Sequence, residues 1–224
     1  MKGNEISLFL GNRVLVTKLH PPQIHGPLIT RPHLRQRLIS GFTQSSFTLV
    51  AATAGYGKTT FVVDGIAHAK QKAVWLSLDE NDNDPVRFML YLINAFQTVF
   101  PQMGQAVQSL LGNPEPPSPT ALITELINEL DEVGEPVLLV LDDYHLIQQP
   151  YIHRGVEFLL EQSPANLHIV MTTREDPPFP LARWRVKGHL NEFRAADLRF
   201  TPVEAAEFFR KNLEISLDEG ALTV

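Results

Sequence analysis

The stretch Ala51-Ala52-Thr53-Ala54-Gly55-Tyr56-Gly57-Lys58-Thr59-Thr60 decides the fold of this chain. An apolar run, residues 47–52, leads into it, and a helix-like run, residues 59–70, leads out. Glycines allow positive φ and a close approach of the backbone, so that several N–H groups can face one anion. The following helix adds the positive end of its dipole at the same point. The stretch therefore predicts a phosphate-binding loop between a strand and a helix.

The predicted phosphate-binding set is the second half of this stretch. It consists of Ala54, Gly55, Tyr56, Gly57, Lys58, Thr59 and Thr60. We expect Lys58 to reach the outer phosphates of a nucleotide and the Thr59 hydroxyl to complete the shell of a Mg²⁺ ion. Ala52 stands where the usual pattern has its first glycine, and a small residue is often tolerated there. The alternative, a glycine-rich turn without a ligand, leaves the Lys-Thr pair unexplained.

Composition describes an ordinary globular protein and excludes several classes. The 224 residues are 44% hydrophobic and 20% charged, with a formal net charge of −6, which argues against a sequence-independent nucleic-acid binder. The absence of cysteine excludes disulfides and thiolate metal sites and fits a reducing cytoplasm. No signal peptide is evident, and the strand-like apolar run at residues 137–141 is too short to span a membrane. We therefore expect a cytoplasmic protein.

Apolar segments of strand length alternate with amphipathic segments of helix length. The predicted strands cover residues 47–52, 73–78, 137–141 and 167–172, with a weaker strand near 191–195. The predicted helices cover residues 33–41, 58–70, 119–133 and 152–162, with further helices beginning at 85 and 202. Near-continuous apolar strands suit a parallel sheet that is covered on both faces. The alternation therefore predicts an α/β fold with helices on both faces of a parallel sheet.

Local signals place several helix ends. Thr30 is a predicted N-cap of the first helix, and Gly41 is its predicted end. Thr201 and Glu204 form a capping box at the start of the last helix. The acidic residues 79–84 lack the glycine and glutamate of a calcium loop, so we interpret them as a solvated loop that ends in an N-cap.

Two further strand ends carry charged residues. Asp142-Asp143 follows the apolar strand at residues 137–141, and Arg174 follows the strand at 167–172. Ligands in open parallel sheets bind at the carboxyl ends of the strands, so we expect these residues to converge on the phosphate loop. Asp142 would then hold Mg²⁺, and Asp143 would orient or deprotonate the attacking water. Arg174 could sense the γ-phosphate.

Simpler interpretations of the same residues stay open. Solvated carboxylates at a strand end would explain Asp143 about as well as a catalytic role. Arg174 taken alone is a surface charge, and only its position at a strand end suggests more. His145 closely follows the two aspartates, and a packed or hydrogen-bonded histidine is its more ordinary interpretation.

Several blocks together resemble one protein family, the large ATP-binding regulators of the LuxR family, typified by the maltose-regulon activator. The resemblance is to the nucleotide-binding domain of these STAND-class signal-transduction ATPases. The blocks are residues 15–19, 29–31, 54–60, 75–79, Leu141-Asp142-Asp143-Tyr144-His145, Thr172-Thr173-Arg174, 181–183 and Arg194-Ala195-Ala196-Asp197-Leu198-Arg199-Phe200. The phosphate loop alone is unspecific, whereas the last blocks together are quite specific.

The resemblance implies a P-loop NTPase with five parallel strands in the order 5-1-4-3-2. It places the strand of Arg174 between the phosphate loop and the strand of Asp142, and it makes Arg174 a sensor. It also implies that the segment containing Thr30 and Arg31 lies against adenine. Relatives of this kind use ATP as a switch: inducer and ATP favour a self-associating, activating state, and slow hydrolysis to ADP restores the resting state.

The expected organisation has three parts. Residues 1–40 form an arm and a helix against the nucleotide site, residues 41–200 form the ATPase domain, and residues 201–224 begin the connection to a domain that is absent here. We expect no DNA contact from this segment, since the helix-turn-helix of such regulators has no counterpart in it.

Two alternative functions remain. One is an interaction module that has lost nucleotide binding. The other is a small-molecule kinase, for which we find no substrate-binding base and no lid.

Overall fold

The computed structural model describes residues 14–24, 26, 28–111 and 117–213. The strands are β1 (Phe47–Ala51), β2 (Lys72–Ser77), β3 (Val137–Asp142), β4 (Leu167–Thr173) and β5 (Leu190–Arg194). The helices are α1 (Pro32–Gln44), α2 (Lys58–His68), α3 (Pro85–Gln97), α4 (Gln105–Leu111), α5 (Pro119–Val133), α6 (Pro150–Glu161), α7 (Leu181–Val186), α8 (Ala195–Leu198) and α9 (Pro202–Leu213). Short 3₁₀ turns cover Val16–Leu19, Glu80–Asn83 and Tyr144–Leu146.

The five strands form one sheet in the order β2-β3-β4-β1-β5, and every pair is parallel. This confirms the predicted fold class and strand order. The register pairs Ala51 of β1 with Thr173 of β4, and Ser77 of β2 with Asp142 of β3. Because all strands run the same way, their carboxyl ends meet at one edge of the sheet. The loop after β1, Asp142 and Thr173 therefore share that edge.

Helices cover both faces of the sheet, as the apolar strands require. On one face, α1 and α2 pack on the sheet through a cluster that includes Leu38, Val62 and Val50. On the other face, α3, α5 and α6 contribute Ile93, Leu126 and other apolar side chains to the larger cluster. Every residue of β1, β3 and β4 is buried, and this burial supplies the main stabilisation of the fold. No helix in the described part of the chain is both long and apolar enough to cross a membrane.

Two predictions about the first helix are wrong. Helix α1 begins after Arg31, which occupies the N-cap position without a capping side chain, so Thr30 is not the cap. The helix also continues through Gly41 to Gln44. A Cβ added at Gly41 would lie 2.1 Å from Nδ2 of Asn191, so this glycine lets α1 approach β5 closely and does not end the helix. The partner that explains the glycine is far away in sequence.

The acidic segment at residues 79–84 is also corrected, because it is not simply solvated. Asp79 accepts a hydrogen bond from the backbone N–H of Asn81, at 2.8 Å, and opens the turn Glu80–Asn83. Asp82 is fully buried and contacts the Lys18 ammonium and, at 3.2 Å, Nε of Arg87. Lys18 also lies 3.1 Å from the Asp79 carboxylate. The segment therefore anchors the N-terminal arm to α3.

Other predicted caps are confirmed. Asp84 accepts a hydrogen bond from the backbone N–H of Arg87, at 2.7 Å, and caps α3. The Glu204 carboxylate accepts from the Thr201 N–H at 2.8 Å, and the Glu204 N–H donates to the Thr201 hydroxyl at 3.2 Å. These caps form between neighbours in sequence, which is why the sequence predicts them. Helices α4 and α7 are short and were not predicted.

His168 on β4 is a buried histidine with both ring nitrogens paired. Nδ1 lies 2.8 Å from the carbonyl oxygen of Ser45, and Nε2 lies 2.9 Å from the Thr48 hydroxyl. Because a carbonyl oxygen only accepts, the neutral ring carries its proton on Nδ1. Burial lowers the pKa of His168 to about 4, against a weaker opposing effect of the Ser45 carbonyl. The fold therefore holds this ring in its neutral form.

The buried ring predicts a loss of stability in mild acid. Above about pH 6.5 the ring is neutral in both states, and as the pH falls toward about 4 only the unfolded chain takes up the proton. We expect the free energy of unfolding to fall by about 2 kcal/mol between pH 7.5 and pH 5 from this group alone. Urea unfolding across this range measures it. His168→Gln should flatten the pH dependence relative to the wild type, and parallel curves for the two proteins would refute the assignment.

Candidate functional site

The loop between β1 and α2 has the backbone shape that a phosphate-binding loop needs. Gly55 and Gly57 have φ of 87° and 70°, which side-chain-bearing residues rarely adopt. A Cβ at either glycine would meet no atom within 4 Å, so the space over the loop is open. Gly57 occupies the N-cap position of α2, and no side chain caps that helix end. The N-terminal N–H groups of α2 are therefore directed to a place where an anion fits.

Lys58 lies across this loop. Its side chain is largely buried, and Nζ donates to the carbonyl oxygen of Thr53 at 3.2 Å. Burial lowers the pKa of the Lys58 ammonium, and the charge of Arg174 acts in the same direction. The nearby carboxylates of Asp143 and Asp142 oppose this shift. The charges that act on Lys58 are thus those of Asp142, Asp143 and Arg174, the three charged residues predicted to converge on the loop.

The phosphate loop and β3 meet through a hydroxyl and a carboxylate. The Thr59 hydroxyl donates to Oδ1 of Asp142 at 3.0 Å, and the Thr172 hydroxyl donates to the same oxygen at 2.6 Å. Burial raises the pKa of the Asp142 carboxyl, while the two hydroxyl hydrogen bonds act against that rise. Hydroxyl and carboxylate oxygens side by side are ligands that Mg²⁺ prefers. The residues present therefore fit a magnesium ion.

A metal held here would need ligands from outside the protein. Within the described ranges, no three or more His, Asp or Glu side chains are grouped so that they could hold a metal ion. Mg²⁺ characteristically keeps several waters and is bound through one or two protein oxygens together with substrate phosphates. The pair formed by Thr59 and Asp142 agrees with that pattern.

Asp143 and Arg174 stand beside this pair. Asp143 has φ of 59°, and it is the only non-glycine residue with positive φ in the described part of the chain. Its N–H donates to the Thr172 hydroxyl at 2.9 Å, which leaves its half-exposed carboxylate at the edge of the sheet. The exposed Arg174 side chain has no hydrogen bond or ion pair with any described residue. Thr172, which links both aspartates, was missed because its role needs the β3–β4 pairing.

A cleft of about 590 Å³ opens beside the loop. Three chain segments line it: the residues before α1, the phosphate loop with the start of α2, and the residues from Leu198 into α9. Of the predicted site residues, Gly55, Tyr56, Gly57, Thr60 and Arg31 line the cleft. Ala54 and Thr30 are exposed and lie outside its lining. Most other lining side chains are apolar or aromatic: Ile24, Leu28, Ile29, Phe61, Leu198, Phe200, Phe208 and Phe209. Such a lining suits a flat, largely apolar ring system.

Arg31 makes contacts that the sequence did not indicate. Its Nε donates to Oε1 of Glu204 at 3.0 Å. Its terminal nitrogens donate to the backbone carbonyl oxygens of Leu198, Asp197 and Arg199, at 2.9 to 3.1 Å. Arg31 therefore holds the segment leading into α9 against the cleft. The aromatic residues of α9 that line the cleft were also missed, although two adjacent phenylalanines on a short terminal helix were a usable signal.

Comparison with known proteins gives consistent results. No protein-family model matches the chain. It is 37% identical over 190 residues to the HTH-type transcriptional regulator MalT of Yersinia enterocolitica, a match that covers 84% of this chain and 21% of that regulator. It is 40% identical over 181 residues to MalT of Serratia proteamaculans, covering 79% of this chain and 20% of that protein. The chain thus spans about a fifth of the length of these relatives.

Two solved structures share the fold. The Walker-type ATPase PABY2304 of Pyrococcus abyssi aligns over 87% of this chain and 61% of its own, with a TM-score of 0.54 and 13% identity. Cdc6p of Pyrobaculum aerophilum aligns over 92% of this chain and 55% of its own, with a TM-score of 0.55 and 14% identity. Identities this low show the fold alone. Over about four fifths of its length this chain is therefore similar to one part of the MalT transcriptional regulators, and it shares the P-loop NTPase fold of the two solved structures.

Proposed function

We propose that this chain is an ATP-binding, slowly ATP-hydrolysing switch domain of a signal-responsive transcriptional activator. The observation that carries the proposal is the 3.0 Å hydrogen bond between the Thr59 hydroxyl and the Asp142 carboxylate. It joins the loop that follows β1 to the end of β3, a parallel strand that β4 separates from β1, at the edge of the sheet where nucleotide sites of this architecture lie. Similarity to proteins named as transcriptional regulators supports the regulatory role.

The proposed binding mode assigns each part of the nucleotide to a part of the site. The backbone from Ala54 to Thr60 and the N-terminus of α2 receive the phosphates, and Lys58 neutralises their outer oxygens. Thr59 and Asp142 hold Mg²⁺, which when bound supplies further charge neutralisation. The apolar cleft takes the base, with the segment of Thr30 and Arg31 as one wall.

We assign the hydrolytic roles to Asp143 and Arg174, which follow strands β3 and β4 at the carboxyl edge of the sheet. The Asp143 carboxylate orients the attacking water or takes its proton. Arg174 is available for the γ-phosphate because no described residue pairs with it. Loss of the γ-phosphate on conversion to ADP would remove this interaction. This difference between the two nucleotides is what a switch requires.

We extend the proposal to the whole regulator. Residues 1–40 and 41–200 would form the nucleotide-binding unit, and residues 201–224 would transmit its state to a following domain. The ATP state would self-associate, and DNA binding would belong to a helix-turn-helix module outside these residues. The acidic balance of the chain, with a net charge of −6, agrees with the absence of DNA contacts here. A cytoplasmic location fits this role.

Thermal unfolding with and without Mg²⁺-ATP tests the proposal. A nucleotide at about 100 times its Kd stabilises the folded state by about 2.7 kcal/mol, which for a chain of this size raises the unfolding temperature by about 5 to 11 °C. No shift at millimolar nucleotide would favour an interaction module that has lost binding. Transfer of the γ-phosphate to a metabolite would favour a small-molecule kinase instead.

A further inference from the structure

The side chain of His145 lies beside the proposed hydrolytic site and is only 9% exposed, and its ring nitrogens lack hydrogen-bond partners among the described residues. Neither of its ring nitrogens has a hydrogen-bond partner in the part of the chain that the structure describes, and both are closed to solvent. Two other histidines differ: both nitrogens of the buried His168 are paired, and Nδ1 of the partly buried His153 lies 2.9 Å from the Tyr144 hydroxyl. Unpaired buried polar groups are costly and rare, and such costs concentrate at functional sites.

The backbone around His145 is fixed, so the ring cannot leave to find a distant partner. It lies in the 3₁₀ turn Tyr144–Leu146, where the Leu146 N–H donates to the carbonyl oxygen of Asp143 at 3.1 Å. The side chain of Asn83 donates to the Leu146 carbonyl oxygen at 2.8 Å. Tyr144 itself is almost fully buried. A hydrogen-bond partner for the His145 ring must therefore be a side chain that can move toward it.

The Asp143 carboxylate can do so. Its Oδ1 lies 3.8 Å from Nδ1 of His145, just beyond hydrogen-bonding distance, and its side chain is 42% exposed and able to turn. Burial lowers the pKa of His145, and the charges of Arg174 and Lys58 lower it further, against opposing effects of Asp143 and Glu175. The ring is therefore neutral near pH 7, with one N–H donor and one acceptor nitrogen.

We propose that His145 is a positioning residue whose Nδ1–H donates to the Asp143 carboxylate when nucleotide is bound and so fixes that carboxylate for the attacking water. The charges of Lys58 and Arg174 act on this ring, and both side chains can only donate, so neither offers an acceptor for a ring N–H. No proton leaves or enters the ring, because the interaction is a hydrogen bond. This inference rests on the proposed ATP-hydrolysing function.

Three variants test the role through hydrolysis and binding together. His145→Phe removes both nitrogens, and His145→Asn keeps a donor near the place of Nδ1. We expect Mg²⁺-ATP affinity within about 2-fold of the wild type for both, because the ring does not contact the nucleotide. We expect single-turnover hydrolysis to fall at least about 10-fold in His145→Phe and to recover to within about 3-fold of the wild type in His145→Asn. His153→Phe is the matched control at a paired histidine.

Stability of the nucleotide-free protein gives a second readout. Removing two unpaired buried nitrogens should raise the unfolding temperature of His145→Phe by about 2 to 4 °C. His153→Phe should lower it, because the Tyr144 hydroxyl loses its partner. A lower unfolding temperature in His145→Phe would show that its nitrogens are satisfied in solution and would overturn the proposal.

The remaining outcomes separate this inference from the proposed function. Wild-type protein that binds no Mg²⁺-ATP refutes both. Binding together with unchanged hydrolysis in His145→Phe, or equal losses in His145→Phe and His145→Asn, refutes only the positioning role. If wild-type turnover is too slow to follow, imidazole ¹⁵N spectra of the protein with Mg²⁺ and a non-hydrolysable ATP analogue show which nitrogen of His145 carries the proton. An Nδ1–H tautomer whose signal shifts in Asp143→Ala supports the proposal, and an Nε2–H tautomer contradicts it.

Discussion

Replacing Lys58 by alanine is expected to weaken Mg²⁺-ATP binding by at least about 100-fold. The Lys58 side chain is largely buried, and its ammonium donates a hydrogen bond within the same loop, to the carbonyl oxygen of Thr53. Hydrogen bonds between charged partners contribute about 1.5 to 3 kcal/mol each, and 1.4 kcal/mol is a tenfold change in Kd. Two lost phosphate contacts therefore account for the expected change. Isothermal titration of both proteins with Mg²⁺-ATP measures it.

The chain offers a control at the opposite end of the same helix. Lys70 is exposed and follows the C-terminus of α2, where a cation cannot reach the loop. Lys70→Ala should therefore bind Mg²⁺-ATP with wild-type affinity. Lys58→Ala should keep its fold, since it loses one hydrogen bond to the backbone, and its unfolding temperature without nucleotide checks this. Equal affinity in Lys58→Ala and the wild type would refute the assigned role of the loop.

Replacing Lys18 by methionine is expected to lower the free energy of unfolding by about 3 kcal/mol. The ammonium is buried between Asp79 and the fully buried Asp82, and it lies 4.5 Å from the centre of the Tyr91 ring. Removing one member of a buried ion pair leaves the other charge without compensation and costs about 3 to 5 kcal/mol. Arg87 still contacts Asp82, so we expect the lower end of that range. Urea unfolding measures the change.

An exposed lysine provides the matched comparison. Lys72 pairs with Glu135 at 2.6 Å and lies 5.0 Å from the Phe100 ring, but both side chains of the ion pair are about half exposed. Exposed ion pairs contribute about 0 to 1 kcal/mol. Lys72→Met should therefore change stability by less than about 1 kcal/mol. We call Lys18, Asp79, Asp82 and Arg87 the Lys18 cluster. Similar losses of stability in the two variants would show that burial of this cluster does not strengthen its ion pairs.

The parts of the fold that were predicted from sequence depend on neighbours in the chain. The phosphate loop needs only its own glycines and the Lys58-Thr59 pair, and the caps at Asp84 and Thr201 need residues three positions away. Apolar runs indicated the parallel strands because burial on both faces leaves a continuous pattern. The strand order came from family resemblance, since spacing alone does not determine it.

The parts that were missed depend on partners far along the chain. A glycine is required at position 41 because Asn191 lies against it in the folded chain. The Lys18 cluster joins the N-terminal arm to a segment about 60 residues later. Arg31 binds carbonyl oxygens more than 160 residues away. Sequence patterns report burial and local caps, whereas these contacts exist only after the elements have packed. Residues 201–224 were accordingly predicted as a connection, although the start of α9, together with the residues from Leu198 onward, also forms a wall of the cleft.

The most direct test of the central claim is a crystal structure of this chain with Mg²⁺ and a non-hydrolysable ATP analogue. We predict triphosphate density over the N–H groups of Gly55 to Thr59. We further predict the metal bound to the Thr59 hydroxyl and to Asp142, directly or through one water. Density for the nucleotide elsewhere, or none at the loop at saturating analogue, would contradict a Mg²⁺-ATP switch at this site.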